Sequence, residues 1–308
     1  MSEMMFVDFE KKLKSKRIEA FRINKGNQQI FEYVKNKKFQ EKPTKIYSVT
    51  KSIVSLLIGI MVDKGYIKSI DEPIHNYFPE ILKLNEIQKQ DITIFHLLTM
   101  TSGLKVMNFQ GSKNWVKTIL EQPIVHSPGS TFQYNSGDSH LLSAIIKKGS
   151  GMSTAAFAEK YLFGPLGIRK YNWVADPQGI HGGGFSLFLN LDDMEKIGFL
   201  LLNKGKVDSN QVISSDWILQ AKSPYRQVES ANEGIYGYGY QFWTFENIDP
   251  ESPLNYFYVS GLFGQYIFIV PKLDIVAVVK SQLSLEQQSA PKLYFEEWLR
   301  SVEDYRRA

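Results

Sequence analysis

Between residues 48 and 64 the chain places Ile53, Val54, Leu56, Leu57, Ile58, Ile60, Met61 and Val62. Together they would cover nearly every side of a helix. A surface helix carries one apolar stripe, so this pattern predicts a buried central helix from about Ser48 to Lys64, stopped by Gly65. Upstream, Lys11, Lys12, Lys14, Lys16 and Arg17 are interleaved with Phe9 and Leu13, the pattern of an amphipathic helix with a solvated basic face. Ile18 to Asn24 and Gln28 to Val34 flank Lys25-Gly26-Asn27 as a hairpin, and two strands lead into the central helix.

From about Ile70 to Gly184 the pattern changes to short helices. Asp71-Glu72-Pro73, Ser127-Pro128-Gly129 and Gly164-Pro165-Leu166-Gly167 punctuate them. A helical period returns from Asp192 to Lys204, and a second helix is expected at Ser215 to Ala221. Strands are then expected at Tyr236 to Thr244, Tyr256 to Val259, Gln265 to Val270 and Ile275 to Lys280, with Tyr236, Tyr238, Tyr240 and Phe242 on one side of the first. A helix from Leu293 to Val302, with Trp298 on its apolar face, follows. Strands at both ends of the sequence around a helical insert predict one sheet built from both chain ends and flanked by helices, in an α/β (α+β) fold. Residues 1–70 and 191–308 would form this discontinuous lobe and 71–190 a mostly helical lobe, with the active site in the cleft between them.

Composition narrows the chemistry. The 308 residues are 43% hydrophobic, enough for a sizeable core, and carry a net charge of only +4, which gives no reason to expect nucleic-acid binding. Cysteine is absent, so disulfides, thiol nucleophiles and zinc-thiolate sites are excluded. His75, His96, His126, His140 and His181 lack metal-ligand spacing, and no glycine-rich phosphate loop is present, so neither a metal nor a cofactor is expected. The longest apolar run, Ile53 to Val62, is too short to span a bilayer. Met1 to Glu10 shows no basic region followed by an apolar stretch, and a cytoplasmic protein is expected.

Three serine–lysine pairs stand three residues apart: Ser48/Lys51, Ser102/Lys105 and Ser289/Lys292. Chance alone supplies about two. Ser102 precedes a turn glycine and Ser289/Lys292 encloses Pro291, which disfavours helix at the residue before it, so only Ser48 opens a strong helix. Positions 48 and 51 share a helical face, and a helix N-terminus favours developing negative charge. Tyr134-Asn135-Ser136, expected on a loop before a helix over Leu141 to Ile146, offers a phenol that can shuttle protons, or act as a phenolate base given cationic neighbours. Ser260-Gly261-Leu262-Phe263-Gly264-Gln265 joins two strands and can present backbone N–H groups to a substrate. His181-Gly182-Gly183-Gly184 looks like a lipase oxyanion loop, but the chain has no Gly-x-Ser-x-Gly elbow, so the glycines are read as permitting a tight turn. Loops at 108–115 and 224–234 are expected to frame the cleft.

In this order and at these separations, the three segments resemble the serine β-lactamase and penicillin-binding protein superfamily. The resemblance is strongest to its branch of class C-type β-lactamases, D-alanyl-D-alanine peptidases, esterases and 6-aminohexanoate-dimer hydrolases. Ile92-Thr93-Ile94 with Leu97 to Leu104, Pro128-Gly129, Asp176-Pro177-Gln178-Gly179 and Gly264-Gln265-Tyr266 to Val270-Pro271 extend it over roughly residues 18–300. It implies a β-lactamase-like fold with an antiparallel sheet. It also implies Ser48 as acylated nucleophile, Lys51 as its base or proton relay and Tyr134 as proton carrier to the leaving group. Backbone N–H groups of Ser48 and Leu262 would form the oxyanion hole, with Ser136, Ser260 and Gly261 binding substrate. Lactamases of this group usually have Lys-Thr-Gly or His-x-Gly where this chain has Val259-Ser260-Gly261, and Asn where it has Ser136. Both departures point to a small ester or amide substrate rather than a lactam. Two alternatives are a penicillin-recognising peptidase or weak β-lactamase, and a non-catalytic ligand-binding or regulatory member of the fold.

Overall fold

The computed structural model describes residues 3–231, 234–247 and 252–307. Its main sheet combines β1 (Ile18–Lys25) and β2 (Gln28–Val34) from the start of the chain with six strands from the far end. These are β8 (Arg226–Ala231), β9 (Gly234–Tyr238), β10 (Trp243–Asn247), β11 (Tyr256–Gly261), β12 (Gln265–Val270) and β13 (Ile275–Ser281). The order is β2-β1-β13-β12-β11-β10-β9-β8, antiparallel at every step. A small sheet orders β3 (Thr44–Lys45), β5 (Leu187–Leu189) and β4 (Asn172–Trp173), and β6 (Lys206–Val207) pairs with β7 (Asn210–Gln211).

Ten α-helices lie on and beside the main sheet in the described residues: α1 (Glu3–Lys14), α2 (Lys37–Glu41), α3 (Val49–Asp63), α4 (Ile94–Leu98), α5 (Trp115–Leu120), α6 (Ser136–Ser150), α7 (Thr154–Ala158), α8 (Leu191–Leu202), α9 (Ser215–Ala221) and α10 (Ala290–Arg307). The fold is β-lactamase-like. Both faces of the sheet are covered, which explains why β12 and β13 are buried along their whole length. Alternate side chains divide between two cores. Ile267 and Ile269 join the helices α3, α6 and α8, while Phe268 and Val270 meet Phe295 and Trp298 of α10.

The central helix behaves as its pattern predicts. Residues 49–61 of α3 are all buried, and each Ile or Leu sealed there contributes roughly 1.5–3 kcal/mol. Two expectations are corrected. The run from Tyr236 to Thr244 is a hairpin, β9–β10, because Gly239 and Gln241, the latter at φ 62°, turn the chain inside it. Tyr236 therefore packs toward the α10 core, whereas Tyr240 and Phe242 enter the α3 core. The turn is pinned there by Ser52 Oγ donating to the Gln241 carbonyl at 2.6 Å and Gln241 Nε2 donating to the Leu97 carbonyl at 3.3 Å. Pro291 also fails to delay the last helix, which starts at Ala290. A proline in the first turn loses no intrahelical hydrogen bond.

Candidate active site

Ser48 sits at the N-cap of α3, and the residue before it is held in an uncommon conformation. Tyr47 has φ 49°, a left-handed value that costs a non-glycine residue energy and persists only where the surroundings enforce it. The Tyr47 carbonyl accepts from Thr50 Oγ1 at 2.6 Å, and the Tyr47 ring packs edge-on against Phe263 at 4.9 Å. Phe263 is itself left-handed, at φ 63°, and follows Leu262 in the β11–β12 turn. That turn comes close to the strand leading into α3, since a methyl group at Gly261 would collide with the Ile46 carbonyl. Ser281 Oγ ties the turn down by donating to the carbonyls of Phe263, at 2.5 Å, and Gly264, at 2.7 Å.

Ser48, Tyr134, Ser260, Gly261 and Leu262 line one cavity of about 370 Å³, at the small end of the ~300–1,000 Å³ of small-molecule sites. Lys51 and Ser136 sit behind it. Lys51 is sealed in the core at 1% exposure, and its Nζ donates to Ser136 Oγ at 2.9 Å and to the Gly184 carbonyl at 2.8 Å. The same Nζ lies 5.1 Å from the centre of the Tyr134 ring. Burial lowers the Lys51 pKa to about 7, with Asp138 pulling the other way. A substantial neutral fraction therefore exists at physiological pH, against under ~0.1% for an ordinary lysine.

Tyr134 departs from one expectation. Its ring is partly open to the cavity that Ser48 also lines, and burial pushes its pKa up to about 12, with Ser48 pulling the other way. It is a phenol at neutral pH, not a phenolate, and so suits proton donation or relay. The expected loop at Tyr134-Asn135-Ser136 is also shorter than read: Asn135 caps α6, accepting from the Gly137 N–H at 2.8 Å, and Ser136 is the first helical residue. Placing Ser136 on the helix fixes the hydroxyl that holds Lys51.

One neighbour had no signal in the sequence, and others depart from the sequence reading. Asp138 is fully buried on α6, accepting on Oδ1 from Ser102 Oγ at 2.8 Å and Asn135 Nδ2 at 3.1 Å, while Oδ2 has no hydrogen-bond partner. Burial raises its pKa to about 8, against the lowering pull of Ser102 and Lys51. An aspartate in a first helical turn reads as a solvated dipole charge, and nothing local tells that it faces a lysine 87 positions away. Gly183 and Gly184 are explained by close approach, neither having a positive φ. A methyl group at Gly183 would strike the Ser139 carbonyl, and one at Gly184 would lie 3.1 Å from Lys51 Nζ. The third serine–lysine pair, Ser289 and Lys292, also lines the cavity, together with Tyr236, Trp243, Tyr258, Tyr266 and Gln288. The expected rim at 108–115 instead turns Phe109 and Trp115 inward against His140. In the 224–234 segment residues 226–231 form β8, while 232–233 lie outside the described residues.

A buried lysine held beside a serine and a tyrosine, all at the junction of a central helix and an antiparallel sheet, is an arrangement suited to a serine hydrolase. Residues 23–299 match the Beta-lactamase family model, and the chain belongs to that family. It is 22% identical over 300 residues to the 6-aminohexanoate-dimer hydrolase of Paenarthrobacter ureafaciens, covering 88% of this chain and 74% of that one. It is 28% identical over 156 residues to esterase EstB of Burkholderia gladioli, covering 44% of this chain and 39% of the esterase. The solved structure of EstCE1, a hydrolase with promiscuous acyltransferase activity, superposes with a TM-score of 0.76 at 16% identity, covering 96% of this chain and 97% of that one. The protein is thus a serine hydrolase. Among the described residues no helix is long and apolar enough to cross a membrane.

Proposed function

We propose that the protein hydrolyses a small ester or amide through an acyl-Ser48 intermediate. The observation that carries this reading is the placement of Lys51, buried, hydrogen-bonded to Ser136 and 5.1 Å from the ring of Tyr134, behind the cavity that Ser48 and Tyr134 line. Ser48 Oγ attacks the substrate carbonyl carbon, and its proton passes to neutral Lys51. Backbone N–H groups of Ser48 and Leu262 receive the oxyanion, and the rigid Tyr47–Phe263 contact holds them in register. As the carbon–leaving-group bond breaks, Tyr134 gives its proton to the departing alkoxide or amine and is reprotonated through Lys51. Water then adds to the acyl carbon, the bond to Ser48 Oγ breaks, and the proton returns to Ser48.

Ser260 and Gly261 lie along the cavity wall as the substrate's edge partners, while Val259 points into the apolar core. Val259 therefore supplies no cation on the strand beside Ser48, where lactamases of this type usually carry one, which weighs against the binding geometry that such a strand cation gives penicillins. Incubation with a fluorophosphonate probe followed by intact-mass measurement should show one adduct, absent from Ser48→Ala. No adduct, or an equal one in Ser48→Ala, would overturn the reading.

A further inference from the structure

The cavity that holds Ser48 is lined by five aromatic side chains and, among the described residues, by one charged group, Lys292. This lysine comes from α10, an element remote in sequence from the other candidate residues. Its Nζ lies 4.0 Å above the Tyr236 ring and pairs with Glu296 Oε1 at 3.1 Å. That oxygen is shared: it also accepts from Tyr236 at 2.7 Å and from Tyr256. Glu296 does not line the cavity, whereas Lys292 does. The pairing fixes the ammonium at the wall without occupying all three of its donors. Ser289 and Gln288 flank it on the same side.

We infer that Lys292 is a specificity-determining residue which selects ester or amide substrates bearing a carboxylate, doing from the last helix what no residue does at Val259. This deepens the proposed hydrolase reading and rests on it. The cavity is walled by aromatic rings and the Lys292 side chain is only 17% exposed, so an ion pair formed there is weakened less by solvent than one on the surface. Glu296 cancels part of the field, which sets the expected preference at about tenfold rather than thousands.

The test uses mono-p-nitrophenyl adipate against its neutral methyl ester, with spontaneous hydrolysis subtracted. The full-length enzyme should favour the acid in kcat/KM by about tenfold, and the preference should shrink as salt is raised. Lys292→Met keeps the apolar stem and should bring the ratio near one; Lys292→Arg should recover most of it. A ratio unchanged in Lys292→Met, or a wild-type preference for the methyl ester, would overturn the inference. Should Lys292→Met fail to fold, the salt dependence in the wild type decides, and a salt-independent ratio overturns it. Should neither ester turn over, the hydrolase reading falls for these substrates, and binding decides the role of Lys292 separately. Adipate quenching tryptophan fluorescence at lower concentration than adipamide, with the difference lost in Lys292→Met, upholds it, and equal binding overturns it.

Discussion

Two lysines in this protein share almost every property except the one that matters. Lys51 and Lys280 are each 1% exposed, each donates Nζ to a backbone carbonyl, and burial lowers each pKa to about 7 against the pull of an aspartate. Lys280 even lines a cavity, of about 450 Å³, whereas Lys51 sits behind the one that holds Ser48. The difference is local geometry. Lys51 lies on a helix, where positions three apart share a face, so it stands on the side of Ser48. Lys280 lies on β13 next to Ser281, and successive strand residues point to opposite faces. Ser281 spends its hydroxyl on the Phe263 and Gly264 carbonyls, tying the turn that carries Leu262. A perturbed lysine is therefore a candidate base only where the backbone also places a nucleophile on its side.

The sharpest way to break this contrast is Ser48→Ala, which should lower ester hydrolysis by at least ~10⁴-fold without unfolding the protein. Lys51→Met should follow at about 10³–10⁴-fold, while Lys280→Met keeps activity near wild type. Equal losses in the two lysine variants would show that both act only through packing. Tyr134→Phe should cost about 10²–10³-fold in kcat/KM, with a smaller loss for substrates whose leaving group needs no proton, such as p-nitrophenol.

Two pH measurements probe smaller effects. If neutral Lys51 is the base, kcat/KM should rise with pH through about 7. Only the ionised fraction of Asp138, whose own pKa burial raises to about 8, holds that pKa up, so Asp138→Asn should move the rising limb to lower pH by under about 0.5 unit. A limb that stays in place would remove Asp138 from the proton balance. For Lys280, the folded pKa is depressed from 10.5 to about 7, so between these values the unfolded chain binds more protons and stability gained from deprotonation rises with pH. Lys280→Met should lose that slope in urea titrations from pH 7 to 10. Its stability at pH 7 is the balance of a relieved buried charge, worth up to about 1–4 kcal/mol, and a carbonyl at Leu189 left without its donor, costing about 1–3 kcal/mol.

Much of the molecule was legible from periodicity. The all-apolar face pattern of residues 49–61 gave the central helix, alternation gave β11 to β13, and of the residues the resemblance nominated, Ser48, Tyr134 and Leu262 line one cavity with Lys51 behind it, 5.1 Å from the Tyr134 ring. The helix and the strands are short-range signals: they depend on which residues lie three or two positions apart, and a chain displays that directly, whereas the roles of Tyr134 and Leu262 came only through the resemblance. The sequence also determined what chemistry is excluded, since a chain without cysteine has no thiol to offer. What only the tertiary structure decided are the contacts between elements. The Gly184 carbonyl on Lys51, the buried carboxyl of Asp138 and the ammonium of Lys292 all come from segments more than 80 residues from Ser48 or Lys51. Their pKa values and pairings arise from burial, and burial is a property of the packed chain. By the same rule the Ser289/Lys292 pair, set aside because it encloses Pro291, entered the cavity as a consequence of where α10 docks on the sheet.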